Sequence, residues 1–392
     1  MSKGALGLLS AYWPKGPARY PHVPLERVTE SCIHRRAAAD GERPALIAGD
    51  RQTTFAELST QTRAAARGYL ERVAPGDRVA IGLEDPIELL LCVLGAWEAD
   101  LLVWLTSTAP DPADLSLFQP DLVVASEPLD AAVAQAAVSP EELLRGGATE
   151  PAGRPALRSP ILALPHPQHG EVLHSHRTLL ATAISFGSFF LLEPGSATAL
   201  FEPPDGWLGL AALLGAWQQG GTVHARWCAP GAPSSTSVDY AVMSRAAAEE
   251  RYLRPGTQPY DGRIRIGALV GIEDELSRAR RRRLSRRLRA PVLTVLGRND
   301  LGPILASHPS WFLDDAVGIP LPDVDVRPLN PVDGTELSIG WDAVEEAEMG
   351  VRGTLSPAGG ELVARWLRTR WLAHVDPTGL YFLRGRVAEP NA

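Results

Sequence analysis

Two patterns of apolar positions alternate along the chain. Between residues 44 and 296, short apolar runs alternate with longer segments in which apolar residues recur at helical spacing. Turn residues such as Pro75-Gly76-Asp77 bound the runs, which is typical of buried strands. Strands that alternate with helices predict an α/β fold with mostly parallel sheets. Strands are predicted at 45–48, 52–55, 78–83, 101–105, 122–125, 161–163, 197–201, 222–225, 264–270 and 292–296, and helices at 25–39, 55–71, 88–98, 209–218, 274–288 and from His176 onward.

The two ends of the chain follow different patterns. Residues 1–24 are rich in Gly and Pro and predict an extended lead-in. After about residue 315 the segments shorten and become strand-like, and they end in a predicted hairpin formed by 371–375 and 380–384. Residues 25–386 are therefore expected to form one large domain with a β-rich final portion.

Composition excludes several classes of protein. The chain has 392 residues, of which 45% are hydrophobic and 21% charged, so it is long enough to bury a substantial core. A net charge of −8 argues against a general nucleic-acid binder. No apolar stretch approaches the ~20 residues of a membrane span, and residues 5–9 are too short for a secretory signal. Three scattered cysteines, Cys32, Cys92 and Cys228, lead us to expect a reducing cytoplasmic environment.

Lysine is confined to Lys3 and Lys15, so positive charge beyond that point comes from arginine. Any chemistry that needs a lysine ammonium would have to use the first 15 residues.

Several longer motifs occur in a fixed order. They are Pro44-Ala45-Leu46-Ile47, Thr54-Phe55-Ala56-Glu57-Leu58, Pro75-Gly76-Asp77-Arg78-Val79-Ala80, His174-Ser175-His176-Arg177-Thr178-Leu179-Leu180, Ala290-Pro291-Val292-Leu293 with Gly297 and Gly302-Pro303, and Trp366-Leu367-Arg368-Thr369 with Asp376, Gly379-Leu380-Tyr381 and Gly385-Arg386. As an ordered set from about residue 25 to 386, they resemble the acyl-adenylate-forming (AMP-binding) ligases: acyl- and aryl-CoA synthetases, adenylation domains and luciferases. The resemblance implies the large N-terminal domain of that family, with two mostly parallel α/β sheet subdomains to about residue 315 and a smaller β-rich subdomain over about 316–386.

The segment that aligns with the family's phosphate loop departs from it. Residues 162–171 read L-A-L-P-H-P-Q-H-G-E, where the family has hydroxyls, several glycines and a lysine. Gly170 stands at the lysine position, and Glu171 adds negative charge. Pro165 and Pro167 remove two N–H donors that could approach phosphate oxygens. The segment is not expected to hold a triphosphate.

Two further nucleotide motifs are altered. Where the family uses a threonine and a glutamate, this chain has Gly297-Arg298-Asn299-Asp300; Asp300 could hold magnesium or be a turn aspartate. The ribose-binding aspartate aligns with Trp371, whose indole cannot accept two hydrogen bonds, while Arg386 is kept. The chain stops at Ala392, before the position of the family's small C-terminal lid domain, which is therefore expected to be absent together with its lysine. ATP and magnesium are not expected as cofactors; no cofactor is assigned, and coenzyme A or a carrier-bound acyl group is a candidate ligand.

Four histidines fall close together at His166, His169, His174 and His176, next to Glu171. Imidazole and carboxylate groups are good metal ligands, but the spacing matches no established metal motif, and loop or core positions explain them equally well. We therefore assign no metal ligands.

Two further features suggest binding surfaces. Glu202 lies where relatives have an acyl-pocket residue, so Glu202, Trp207 and the helix after it are candidate pocket walls or core. The predicted helix at 274–288 contains Arg280, Arg281, Arg282 and Arg283, which could dock an acyl carrier protein or the phosphates of coenzyme A, or form a solvated face.

These observations leave three hypotheses for function. The first is a degenerate ligase that has lost its ATP site and binds an acyl or carrier-linked ligand, or scaffolds a biosynthetic partner. Its remnant pocket would comprise His166, Gly170, Glu202, Trp207, Gly297, Asn299, Trp371 and Arg386. The second is ATP-independent acyl transfer from an activated thioester, with His169, His176 and Asp300 as acid/base groups. The third is a split ligase completed by a separate C-terminal domain.

Overall fold

The computed structural model describes residues 13–14, 19–108, 111–126, 137–145, 157–166, 170–227, 237–338, 343–353 and 366–387. Its strands are, in chain order, β1 (Pro44–Ala48), β2 (Arg51–Thr54), β3 (Arg78–Gly82), β4 (Leu102–Thr106), β5 (Leu122–Ala125), β6 (Ala137–Val138), β7 (Pro160–His166), β8 (Gly170–Ser175), β9 (Ala197–Leu200), β10 (Thr222–Ala225), β11 (Ser237–Ser244), β12 (Arg263–Ile272), β13 (Val292–Arg298), β14 (Gly302–Ala306), β15 (Ile319–Pro320), β16 (Val324–Leu329), β17 (Val344–Gly353), β18 (Leu367–Val375) and β19 (Tyr381–Arg386).

The helices follow the strands through the first three quarters of the chain. They are α1 (Arg35–Asp40), α2 (Phe55–Leu70), α3 (Pro86–Glu98), α4 (Pro112–Phe118), α5 (Pro140–Leu144), α6 (His176–Phe189), α7 (Trp207–Gln218), α8 (Arg245–Tyr252) and α9 (Arg278–Leu288). In the described part of the chain, no helix is long and apolar enough to cross a membrane.

The larger sheet has nine strands in the order β15-β14-β13-β12-β11-β9-β10-β1-β2. The six strands from β13 to β1 are parallel, and antiparallel strands close both edges. All four residues of β10 are buried, as expected where helices cover both faces of a parallel sheet. Helix α7 packs against this sheet and buries eleven of its twelve residues. This explains why 209–218 is apolar on every side.

The second sheet has six strands in the order β6-β5-β3-β4-β7-β8, and only the last pair is antiparallel. Helices α2 and α3 contact each other beside it. Helix α2 begins with a capping box between Thr54 and Glu57, and Asp85 caps α3 ahead of Pro86. These local signals explain why the sequence predicts both helices to within two residues.

Strands β16 to β19 form a separate antiparallel sheet in sequence order. The predicted final hairpin is confirmed as β18 and β19, and the predicted α/β architecture with a smaller β-rich part is confirmed as well. Of the lead-in, only residues 13–14 and 19–24 are described; there Trp13 donates a hydrogen bond to the carbonyl of Thr378.

Three sequence predictions differ from the structure. The helix predicted at 25–39 begins three residues later, at 28, and runs to 40 with a π-helical turn over Glu30–His34 before α1. The helix predicted from 274 begins at Arg278, after the cap Ser277. Strands β8, β11 and β14 were not predicted, and much of the alanine-rich segment before residue 157 lies outside the described residues.

Candidate functional site

A cleft opens at the carboxyl ends of the parallel strands in the nine-stranded sheet. From β9 the chain passes through α7 to β10 on one side, and then returns to β11 on the other side of β9. Such a switch point leaves a crevice outside the strand ends, where α/β proteins bind ligands. The cleft has a volume of about 560 Å³, which suits a small molecule. Its lining includes Pro203, Gly206, Trp207, Leu208, Ser244, Ala246 and Gly271.

Hydrogen bonds fix the walls of this cleft. Glu202, directly after β9, accepts a bond from the Ser244 N–H at 2.8 Å, which joins the ends of β9 and β11. The first N–H of α7, that of Trp207, donates to Asn299 Oδ1 at 3.0 Å. The Asn299 side chain donates in turn to the Pro165 carbonyl at 2.9 Å. Asn299 therefore connects the larger sheet to the β7–β8 hairpin of the other sheet.

Gly297 allows Trp207 to pack against β13. A Cβ atom at Gly297 would lie 2.6 Å from the Trp207 ring and 2.6 Å from the Gly302 carbonyl oxygen. The indole occupies the space that any side chain at 297 would need, and only 9% of Trp207 is exposed. Gly297 therefore supports one wall of the cleft.

The charge of the cleft is negative. Among its lining residues there is one guanidinium, that of Arg245, and it pairs with Glu249 at 3.0 Å. Two more arginines reach these acids from outside: Arg280 lies 3.4 Å from Glu249, and Arg386 lies 3.1 Å from Asp274. The five carboxylates of the cleft therefore exceed the three guanidinium groups, those of Arg245, Arg280 and Arg386, by two. The carboxylates that line the cleft are those of Glu202, Asp205, Glu249, Glu273 and Asp274.

Asp205 is the most perturbed acid in this group. Its carboxylate accepts hydrogen bonds from the Ser107 N–H at 3.4 Å and from the Ser107 hydroxyl at 3.2 Å. Burial raises the pKa of Asp205, and the nearby Glu202 carboxylate raises it further, against the lowering effect of the Ser107 bonds. A carboxyl group with a raised pKa inside a cleft is a candidate for binding or acid/base chemistry.

The segment aligned with the phosphate loop forms an antiparallel hairpin. Strands β7 and β8 pair from Leu162 with His174 to His166 with Gly170, so most of residues 162–171 lie in a ladder. Gly170 has a φ of 74°, a left-handed conformation that favours glycine at the turn. Glu171 points to neighbouring Arg78, with 2.8 Å between oxygen and nitrogen. The His166 side chain and all of His169 lie outside the described residues.

Two other residues predicted for the nucleotide site contact the protein itself: Asp300 pairs with an arginine, and Trp371 packs in the core. Asp300 forms a two-point ion pair with Arg298, including a 2.7 Å bond from Nη2 to Oδ2. Trp371 is fully buried, and its indole donates to the Glu273 carbonyl at 2.7 Å. Arg386 also reaches that carbonyl, at 3.3 Å. Trp371 therefore supports the cleft wall from behind instead of facing a ligand.

The two described histidines of the sequence cluster belong to the interior. His176 is fully buried: its Nδ1 accepts from the Val28 N–H at 3.2 Å, and its Nε2 contacts Asp100 at 2.9 Å. Both ring nitrogens of His176 are therefore engaged inside the core, and its acid/base role stays a prediction. His174 contacts the Asn299 carbonyl at 3.0 Å, and burial lowers the pKa of His174 to about 4, so its ring is neutral. Within the described ranges, no three His, Cys, Asp or Glu side chains form a metal-binding group.

The predicted docking arginines divide into two kinds. Arg281 is 2% exposed, and its guanidinium donates to the carbonyls of Val292, Leu313 and Ala316. Burial lowers the pKa of Arg281 to about 10. Arg281 therefore anchors α9 to the sheet and is removed from the docking surface. The exposed arginines on α9 are Arg278, Arg280, Arg282, Arg283, Arg286 and Arg289.

The predicted site residues Glu202, Trp207 and Asn299 all line this cleft, whereas most of its acids were not predicted. Glu273 and Asp274 directly follow β12, and Arg245 directly follows β11. Polar residues just beyond a parallel strand are the signal that could have identified them. Because β11 was not recognised as a strand, Ser244 and Arg245 carried no such signal.

Comparisons with known proteins agree with this architecture. Residues 33–118 match the family model described as AMP-binding enzyme. No curated protein matches the chain. MatB from Rhodopseudomonas palustris with bound ATP is 18% identical, with a TM-score of 0.76 over 92% of this chain and 79% of that chain.

Two other solved structures are similar to the same extent. A benzoate CoA ligase from Burkholderia xenovorans LB400 is 18% identical, with a TM-score of 0.77 over 92% of this chain and 80% of that one. A long-chain-fatty-acid-CoA ligase, FadD1, from Archaeoglobus fulgidus is 14% identical, with a TM-score of 0.80 over 95% of this chain and 87% of that one. Residues 33–118 therefore match the AMP-binding family model, and these solved CoA ligases and MatB show that the chain shares their fold.

Proposed function

We propose that this chain is a ligase-like binding protein that holds an acyl or carrier-linked ligand in its cleft and does not adenylate it. The observation that carries the proposal is the excess of carboxylates over guanidinium groups in the cleft at the switch point. The phosphates of ATP or AMP would have to approach Glu202, Asp205 and Glu273 at close range. Like charges at such distances repel strongly where water is partly excluded.

The β7–β8 hairpin supports the same proposal. A phosphate cradle needs several free backbone N–H groups that converge on one point. Here the strand residues on both sides of the turn use backbone groups to pair with each other. The three residues that connect the strands are Pro167, Gln168 and His169, and proline has no N–H to offer. Few donors are left for a triphosphate.

A neutral or apolar ligand group fits the rest of the lining. Trp207, Leu208 and Pro203 supply apolar surface, while Ser244 and Asn299 supply polar groups. This combination suits an acyl chain with a thioester at its end. Coenzyme A or a carrier arm would enter from the solvent side, with its phosphates outside the cleft.

The first test of the proposal is an ATP–pyrophosphate exchange assay with a panel of aliphatic and aromatic acids. We expect the rate of ATP–pyrophosphate exchange to equal the background rate of a sample without protein. Exchange that depends on one acid and saturates with ATP would contradict the proposal.

The second test locates the ligand. Neutral acyl thioesters of N-acetylcysteamine are titrated into wild type and into Ala246→Trp, which places an indole in the cleft from an exposed position on α8. Ala246 also borders the space between α8 and α9, so Ala279→Trp is the matched control: Ala279 is an exposed alanine at the second position of α9 that lines this space and not the cleft. Binding lost by at least about tenfold in Ala246→Trp alone supports the cleft as the site. Equal binding in all three proteins, or no binding in any, would contradict it.

A second candidate function, ATP-independent acyl chemistry, is favoured by Asp205. Burial raises its pKa above the ordinary value of a carboxyl group, and it lies in the cleft beside Glu202, where an acid/base group would contact a ligand. Neither His176 nor Asp300 is available in the same way, since His176 is buried and Arg298 holds Asp300. Thioester hydrolysis that falls by about a hundredfold or more in Asp205→Asn would support this candidate. An unchanged rate would remove it.

A further inference from the structure

Positive charge is concentrated along helix α9 and the residue that follows it. Residues 278–289 contain eight arginines, in a chain whose net charge is −8. The buried side of α9 is formed by Arg281, Leu284 and Leu288. At 3.6 residues per turn, the opposite side presents Arg282, Arg283 and Arg286.

Helix α9 breaks the local rules for a stable helix. Its first turn contains Arg278, Arg280 and Arg281 and no acid, although the positive end of a helix dipole favours acids there. Arg278 with Arg282 and Arg282 with Arg286 are like-charge pairs at i,i+4 spacing, which destabilises a helix. A local violation without compensation in the fold indicates a functional role for the residues concerned.

The fold neutralises only part of this charge. Arg282 pairs with Asp314 at 3.2 Å, and Arg280 pairs with Glu249 at 3.4 Å. By contrast, no carboxylate of the described residues forms an ion pair with Arg278, Arg283, Arg286 or Arg289. These four guanidinium groups are open to a ligand from solution.

A groove borders the exposed arginines of α9. It lies between α8 and α9 and has a volume of about 640 Å³. Its apolar lining comes from Ala246, Leu253, Pro255 and Ala279. The charged lining consists of Arg254, Arg280 and Arg283 with the two acids of α8; Glu250 pairs with Arg254 at 2.9 Å and Glu249 with Arg280 at 3.4 Å, which leaves Arg283 without a carboxylate partner among the described residues. Arg283 therefore links the groove to the exposed arginines of α9.

We propose that α9 and the α8–α9 groove dock an acidic α-helix of a partner protein. An amphipathic helix would lay apolar side chains on the groove and direct carboxylates to Arg278, Arg283 and Arg286. The 11 residues of α9 span about 16 Å, a length that three turns of a partner helix match. A nucleic acid is disfavoured, because the chain's net charge of −8 lacks the basic excess that nucleic-acid binders normally show. The docking surface does not depend on what the cleft binds.

The test uses the full chain and a labelled helical peptide. The probe is an amphipathic peptide of about 16 residues, with Leu and Ala on one face of the helix and Glu on the other. A peptide with Gln in place of every Glu is the neutral control. The variant is Arg278→Gln with Arg283→Gln and Arg286→Gln, all exposed. Arg63→Gln with Arg158→Gln and Arg384→Gln removes the same charge at exposed positions elsewhere and serves as the matched control.

We expect the acidic peptide to bind wild type and the control variant equally at low salt, and the α9 variant at least about tenfold more weakly. Binding should also weaken as salt rises, because exposed charges are screened. Equal binding to both variants, or no binding to wild type, would overturn the proposal. So would an oligothymidylate that binds more tightly than the peptide with the same α9 dependence, which would indicate a nucleic acid. Self-association of the wild type that the α9 variant abolishes in sedimentation experiments would indicate a second copy instead.

Discussion

Asp100 and Asp205 are both partly buried carboxylates, but they receive their hydrogen bonds from different kinds of donor. Asp100 accepts from Arg27 at 2.7 and 3.2 Å and from His176 at 2.9 Å, so cationic and N–H donors cover both oxygens. In the cleft, the bonds to Asp205 come from neutral donors of Ser107. The first arrangement stabilises the fold, whereas the second leaves charge available to select a ligand.

The pKa values follow the same division. Burial opposes ionisation of Asp100, but the hydrogen bonds from His176 and Arg27 outweigh it and hold the pKa of Asp100 below its ordinary value. For Asp205 burial prevails and Glu202 adds to it, so its pKa is raised. One carboxylate is therefore more stable in the folded chain than in water, and the other less stable.

The largest expected effect is that of Asp100→Asn. Asparagine keeps the shape and tolerates the left-handed backbone of this position, where φ is 57°. Loss of the charge leaves Arg27 half-desolvated without its partner, so we expect about 2–4 kcal/mol of destabilisation. Urea unfolding at neutral pH measures it. Asp85→Asn, at an exposed ion pair with Arg51, should change stability by less than about 1 kcal/mol; equal losses would break the comparison.

The pH dependence of that loss has a defined sign. Because the folded chain lowers the pKa of Asp100, its ionisation stabilises the fold above the ordinary value of 3.8. The contribution disappears as pH falls through the lower folded value. The unfolding curves of wild type and Asp100→Asn should therefore converge on acidification. If the difference in the free energy of unfolding between wild type and Asp100→Asn stayed constant down to the acid unfolding transition, the charge of the carboxylate would not be its cause.

Asp205→Asn should act in the opposite direction. An asparagine oxygen still accepts from Ser107, while the unfavourable charge is removed, so we expect stabilisation of about 0.5–1 kcal/mol at neutral pH. Since the folded chain raises the pKa of Asp205, the penalty is largest above the folded pKa and vanishes as pH falls toward 3.8. Thermal unfolding at neutral and acidic pH measures both points. A destabilised variant at neutral pH would mean that the carboxylate is satisfied in the cleft.

The smallest expected effect is on the pKa of Asp205 itself. Glu202→Gln keeps an acceptor for the Ser244 N–H and removes the charge that raises this pKa. The pKa of Asp205, followed by carboxyl NMR, should therefore fall toward its ordinary value. An unchanged pKa would show that burial alone perturbs Asp205 and that the two carboxylates are electrostatically independent.

The fold was largely predictable because its signals are local. Capping residues and turn residues marked the ends of α2, α3 and β3, and continuous apolar runs marked the parallel strands. The site was less predictable, because its residues are contributed by strand ends and loops that only the sheet order brings together. Arg281 illustrates the limit: nothing in a run of arginines tells which one points inward, since that depends on the carbonyls of Val292 and Ala316.

The most direct test of the central claim is calorimetric titration of the purified chain with Mg·ATP. A cleft that is dominated by carboxylates and faces a paired hairpin in place of a phosphate loop should give no binding heat at millimolar ATP. A clear dissociation constant in the micromolar range, weakened by Ala246→Trp and not by Ala279→Trp, would contradict the claim and show that the cleft still receives the nucleotide.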